Sequence, residues 1–228
     1  MALKLYDLAL ADPDIRPSPF CWMVKFALLH KGLEFETAPV GFADKANYPD
    51  PEYGRVPVII DGEETVKDSA MIMAWLDKAY PENPLVATDG EAAAAEFSRA
   101  WLFSSFFPAV SPMLVARIHA LAADDDKPYF RASREERFGK TIEELAATTG
   151  QKEKVEASLQ VLSAPLGRYR FLGGDAPNLC DYYVMGAFMW PRLSTSEDIY
   201  EAPQPVAAWI ERMLDLFDGY ARKAKRPS

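Results

Sequence analysis

The feature that most limits what this 228-residue chain can fold into is the point at which its strand signals stop. Up to about residue 81, short β-rich runs alternate with helical ones; from about residue 91 only helical periodicity continues. "LKLYDLAL" (3–10) reads as a strand apolar enough to be buried on both faces, and "EFETAPV" (34–40) as a second, with a helix over 19–31 between them. That is a βαβ unit. "VPVIID" (56–61) and "ETVK" (64–67), joined by Asp61-Gly62-Glu63, read as a β-hairpin, and 68–81 as a helix with Pro81 just past its end. After the proline-rich "YPENPLVATDG", helices are expected over 91–107, 112–122, 134–147, 151–163, 178–190 and 205–223. Pro108 and Pro112 should kink or divide the first pair, and "AADDDKP" (122–128) should be a short exposed loop. The expected organisation is an α/β domain over 1–81, a linker over 82–90 and an all-helical domain over 91–228.

Charge and composition narrow the function classes. The net charge of −9 argues against a general nucleic-acid or anionic-membrane surface. The one strongly basic stretch, "RKAKRP", reads as a solvated C-terminus. No apolar run approaches the ~20 residues of a membrane span, and the N-terminus carries no signal-peptide pattern, so a soluble cytoplasmic protein is expected. Two distant cysteines, Cys21 and Cys180, read as free thiols. With only His30 and His119 present, a multi-histidine metal site and a serine-hydrolase triad are both disfavoured, and no metal is expected.

Three short stretches bear on chemistry, and each has a plain structural reading beside a functional one. In "PSPFCWMVKFALLHKG" (17–32), Ser18 is a good N-cap, Pro19 suits the first helical position and Gly32 ends the helix; the same helix start could equally receive a small anion. In "RVPVII", Pro57 fits an edge strand, or a cis Val56–Pro57 bond that turns the backbone of Val56 outward toward an extended peptide ligand. In "KDSA", Asp68 and Ser69 cap a helix, or bind the ammonium and carboxylate of an α-amino acid end. Arg55 and Lys45 are surface charges or hold a second carboxylate. Together these positions could frame a tripeptide with a carboxylate at each end and a thiol between.

"SPFCWMVKFALLHKG", "RVPVIID", "KDSAMIMAWLDKAYP" and "FLGGDAPNLCDYYV", in this order, resemble a glutathione S-transferase over nearly the whole chain. The resemblance implies a thioredoxin-like N-terminal domain and a helical C-terminal domain, with Asn178 to Asp181 as the capping box of a central buried helix. It implies that Ser18 donates a hydrogen bond to the sulfur of glutathione, so that the thiolate of the co-substrate attacks while Ser18 does not. Phe20, Lys45, Arg55, Val56, Pro57, Asp68 and Ser69 are the implied glutathione site. An apolar pocket for an aromatic electrophile is assigned to Ile15 and to Trp101, Phe103, Phe106, Phe107 and Met113, residues that as a helical stripe also read as core. Within the family, "LYDL", "ALLHKG" and "LDLFDGYARK" resemble the lignin β-aryl-etherase branch and its fungal relatives, which implies cleavage of an aryl ether; this chain stops soon after that last motif. A homodimer is implied too.

"SPFC" also resembles a Cys-x-x-Cys motif with serine at its first position. Cys21 then reads as a buried inert thiol, or as the reactive group of a reductase or dehalogenase; Cys180 reads as core. A non-catalytic glutathione-fold binding protein is the third reading.

Overall fold

The computed structural model describes residues 3–228. Four strands, β1 (Leu3–Leu8), β2 (Phe35–Val40), β3 (Val58–Asp61) and β4 (Glu64–Lys67), form one sheet in the order β2-β1-β3-β4. β1 and β2 run parallel across the crossover helix α1 (Pro19–His30), as a βαβ unit must. β3 is antiparallel to β1 and β4, with Tyr6 opposite Val58 and Val58 opposite Lys67. This register matters for everything that follows. It brings the end of β1, the start of β3 and the end of β4, hence the start of α2 (Ser69–Ala79), to one edge of the sheet.

The remainder is helical: α3 (Asp89–Trp101), α4 (Phe107–Leu121), α5 (Lys127–Phe138), α6 (Ile142–Ala146), α7 (Gln151–Leu166), α8 (Leu179–Ser194) and α9 (Gln204–Gly219). α8 is the central post, buried along almost its full length and packed against α1. The two helices run antiparallel. His30 Nδ1 meets the Tyr182 hydroxyl at 2.6 Å near one end, while Gly186 faces Pro19 and Met23 near the other. A Cβ on Gly186 would lie 2.5 Å from Met23 Cγ and 3.0 Å from the Pro19 carbonyl, so only glycine lets α8 lie this close to the first turn of α1. Phe26 stacks on Tyr182 with ring centroids 5.9 Å apart, and each such buried aromatic contributes roughly 1.5–3 kcal/mol.

Three expectations need correction. Pro108 and Pro112 do not divide the helix: a π-helical turn at Leu102–Phe106 widens the backbone just ahead of Pro108, and helix runs from Asp89 to Leu121. This 33-residue stretch is long and apolar enough to cross a membrane, but its most apolar window is 61% buried in the fold, as a core helix is. The single helix expected over 134–147 is two, because Gly139 takes φ 63° and ends α5, and a Thr141–Glu144 capping box then starts α6. The segment 122–128 is not merely an exposed loop, since Asp126 is only 4% exposed and accepts the Ala43 N–H at 2.6 Å, tying the helical part to the loop after β2. The basic tail is solvated but not free: Arg222 pairs with Glu211 and Asp215, Lys225 with Asp12 and Asp14, and Arg226 with Asp198, all at the surface.

The connection between sheet and helices is also anchored. The buried ammonium of Lys31 pairs with Asp77 at 2.6 Å and donates to the carbonyls of Tyr80 and Glu82, while Asp77 accepts from Leu85.

Candidate functional site

Ser18 caps α1. Its hydroxyl oxygen accepts the Cys21 N–H at 3.3 Å, and the residue is buried. Pro19 has no N–H to offer, Trp22 is already bonded to the Ser18 carbonyl, and the first turn holds no acidic residue. Among the described residues this leaves the Phe20 N–H and the Ser18 O–H without nitrogen or oxygen acceptors. Two donors at the positive end of a helix dipole, with no carboxylate in that turn, make a site for a soft anion.

Across the sheet edge lie the other positions the sequence singled out. Val56–Pro57 is a cis bond, and Val56, just before β3, makes no hydrogen bond through its backbone among the described residues. Asp68 is the N-cap of α2, with one carboxylate oxygen accepting from Ala70 at 2.9 Å and Met71 at 3.4 Å. It does so at φ 70°, a backbone region that costs a non-glycine residue about 1–3 kcal/mol and recurs at ligand sites. Ser69 follows, buried at the first helical position. Lys45 reaches the Gly54 carbonyl at 2.7 Å, which holds it beside the Arg55 segment; its ammonium lies 4.3 Å from the Tyr48 ring centre, and burial lowers its pKa. Arg55 is exposed and makes no ion pair among the described residues.

The aromatic residues separate into two groups. Phe20, Phe103 and Phe107 form one cluster, with Phe20 lying 6.2 Å from Phe103 and 5.8 Å from Phe107. Phe103 is 49% exposed, so this cluster opens to solvent beside the start of α1. Phe20 therefore links the two halves of the site: its N–H belongs to the helix start and its ring to the apolar wall. Phe106, in contrast, is fully buried against Phe188 at 4.9 Å, and Trp101 packs on Phe106. Assigning Phe106 to the pocket is corrected on this point, because the π-turn rotates it into the core while leaving Phe103 outside. Ile15 is buried in the loop before Ser18, and Met113 is half-buried on α4.

Cys21 is fully buried. Burial pushes its thiol well above the ordinary range, the charge of Asp7 adds to this, and the neighbouring Ser18 hydroxyl only partly offsets it. Such a thiol is a poor nucleophile at neutral pH. Cys180 is likewise buried, its pKa pushed up to about 11 chiefly by burial.

Sequence reasoning missed a buried charge cluster under this site. Asp7 on β1, wholly buried, pairs with Lys25 on α1 at 2.6 Å and with Arg16 at 3.6 Å. The signal was present: one acid in a mostly apolar strand and one lysine within an apolar run of helix. Arg99 was missed as well; its guanidinium lies 5.9 Å from the Phe103 ring centre.

Comparison with known proteins gives the same fold and adds a family. The model of the "Glutathione S-transferase, N-terminal domain" matches residues 13–84, and that of the "Glutathione S-transferase, C-terminal domain" matches residues 93–220. A zeta-class glutathione S-transferase of Euphorbia esula is 32% identical over 109 residues, 45% of this chain and 45% of the relative, so the match spans less than half the length of that protein. The crystal structure of glutathione S-transferase CsGST63524 of Ceriporiopsis subvermispora, in complex with glutathione, superposes with a TM-score of 0.72 at 25% identity, covering 98% of this chain and 95% of the other. The beta-etherase LigF of Sphingobium sp. strain SYK-6 shares the fold, with a TM-score of 0.69 at 20% identity over 96% of this chain and 97% of that one.

Proposed function

The chain belongs to the glutathione S-transferase family, and we propose that it activates glutathione through Ser18 for attack on an aromatic electrophile, with cleavage of a β-aryl ether as the specific reaction. The observation that carries this is the start of α1: a buried serine hydroxyl that accepts the Cys21 N–H, beside a Phe20 N–H with no acceptor among the described residues. A free thiol has a pKa of ~8.5, and helix N-termini bring it to about 7.5 or below. A charge-assisted O–H···S⁻ bond adds to that.

The remaining residues then hold a tripeptide. The backbone of Val56 pairs with its central residue, Asp68 and Ser69 receive its α-amino acid end, and Arg55 and Lys45 its other carboxylate. Phe20, Phe103 and Phe107 present the aryl group of the electrophile to the sulfur, with Met113 and Ile15 behind them. In the ether reaction the sulfur lone pair forms a C–S bond at the carbon beside a ketone. The C–O bond breaks, and the departing aryloxide takes a proton to leave as a phenol. Positioning and thiolate stabilisation do this work, and no oxidant or reductant is needed. Free buried cysteines suit a reducing cytoplasm. The exposed apolar residues Met71 on α2 and Phe97 on α3 are the surface a homodimer would cover.

The test is phenol release from a β-aryl ether ketone carrying a fluorescent phenol, with and without glutathione. Release that requires glutathione and falls about tenfold or more in Ser18→Ala, a barrier change of about 1.4 kcal/mol or more, supports the reading. Conjugation of a simple aryl halide without ether cleavage would keep the transferase and discard the etherase. If neither substrate reacts, a glutathione-fold binding protein replaces both. Alkylation with iodoacetamide should leave turnover intact, since Cys21 is out of reach; loss of activity would make Cys21 the reactive group.

A further inference from the structure

Asp126 stands at the start of α5, where an aspartate ordinarily caps its own helix, yet its carboxylate makes no capping bond there. Only 4% exposed, it instead accepts the Ala43 N–H at 2.6 Å, from the loop that follows β2. The approach leaves no room for a side chain at Gly41, where a Cβ would lie 2.6 Å from Asp126 Oδ2 and 3.0 Å from Oδ1. Gly41 does not take a positive φ, so this position needs glycine for the contact rather than for its backbone.

The contact holds an irregular segment. Between Val40, the end of β2, and Val58, the start of β3, the only regular element is a 3-10 turn at Lys45–Asn47. The segment nevertheless carries Lys45, Arg55 and Val56, three of the residues assigned to glutathione. A long irregular segment has no ladder to order it, so contacts from outside must offset its entropy. The ion pair of Asp50 with Lys67 is exposed and adds little. The buried contacts come from α5. The Phe42 ring meets Phe130 edge-on, with centroids 4.8 Å apart, and the Arg134 guanidinium lies 4.6 Å from the Phe130 ring centre. Tyr129 faces the Lys45 ammonium, 4.9 Å from its ring centre.

The anchor passes directly to Lys45. Ala43, held by Asp126 through its N–H, accepts the Lys45 N–H at 2.7 Å through its carbonyl. At the far end of the side chain, Lys45 Nζ donates to the Gly54 carbonyl at 2.7 Å, next to Arg55. Lys45 is thus held at its backbone from the helical domain and at its tip beside the second cation. Misplacing such a group by about 1 Å is costly. Burial lowers the Lys45 pKa; Asp126 opposes this, and Arg134 and Arg55 add to it. Charge and position are separable, because asparagine keeps the acceptor and loses the charge.

We propose that Asp126 is a positioning residue for glutathione: it fixes the segment 41–57 from the helical domain so that Lys45 and Arg55 meet the glycyl carboxylate. This rests on the glutathione site proposed above. Calorimetric titration of the full chain compares glutathione with its glycyl ethyl ester, which keeps the thiol and the α-amino acid end and lacks that carboxylate. The parent should prefer glutathione about tenfold or more. Asp126→Ala should cut the preference to about twofold or less, by weakening glutathione while leaving the ester unchanged. Gly41→Ala, which pushes the loop away with Asp126 in place, should do the same. Asp126→Asn should keep the preference within about threefold of the parent. An intact preference in Asp126→Ala and Gly41→Ala, equal weakening of both ligands, an asparagine variant as damaging as alanine, or a parent without preference would each overturn the proposal. All of these leave glutathione binding in place; a parent that binds neither ligand removes the proposed function as well.

Discussion

α1 and α8 both begin at a polar cap, and the two caps are finished differently. At the start of α8 the Asp181 carboxylate is wholly buried and accepts from Leu172, Gly173 and Asn178 and from the indole of Trp209, at 2.7 to 3.1 Å. Burial raises its pKa, and these four donors work against that rise. At the start of α1 the only side-chain cap contact among the described residues is Cys21 N–H to Ser18. A saturated cap stabilises the fold; an unsaturated one in a buried setting keeps donors ready for a ligand. The caps lie at opposite ends of the antiparallel pair, but the helices are in mechanical contact, since the middle of α8 presses on the first turn of α1 through Gly186.

Substitutions should separate these roles. Asp181→Ala leaves four donors without their buried acceptor and should cost about 3–5 kcal/mol in urea denaturation, with glutathione affinity of the folded fraction unchanged. Equal stability of mutant and parent would mean that α8 is not the better-anchored end. Gly186→Ala should cost about 1–3 kcal/mol by overpacking, and it should also weaken glutathione binding, because the added methyl pushes on Pro19 and Met23. Destabilisation with binding intact would uncouple the helices. Ser18→Ala should cost only about 0.5–2 kcal/mol of stability as a lost cap, while its loss of turnover is the larger signal. A melting temperature that fell as far as for Asp181→Ala would make Ser18 structural.

The smallest effect concerns pH and the bond joining the helices. Burial holds the His30 pKa below its ordinary 6.5 in the folded protein. The unfolded chain therefore binds the proton more readily, and this contribution to stability is present above about pH 6.5 and is lost as pH falls toward the folded value. In His30→Gln, stability measured by denaturation from pH 7.5 down to 5.5 should decline less steeply. An unchanged slope would exclude His30 as its source.

Local pattern carried much of this fold. The βαβ-ββα order, the caps at Ser18, Asp68 and Asn178, and the change to helix after the proline-rich segment follow from periodicity and from residues with strong backbone preferences. Even the break between α5 and α6 was legible, since Gly139 and the Thr141–Glu144 pair are local signals that a longer helical reading overran. Candidate site residues at element ends were legible for the same reason, because an N-cap is defined by the few residues after it.

What the chain left undecided depends on distant neighbours. Phe103 and Phe106 read alike in one apolar run, and only the π-turn turns one ring toward solvent and the other against Phe188. Asp126 reads as a loop acid until the backbone of Ala43 meets it from the other domain. The Arg16–Asp7–Lys25 cluster joins a loop, a strand and a helix, and the ion-paired basic tail closes over it. Local sequence sets which backbone a segment prefers, because those energies act within a few residues. Which side chains end up facing each other without water is decided by packing, and from that follow the charge balance and the shape of the site.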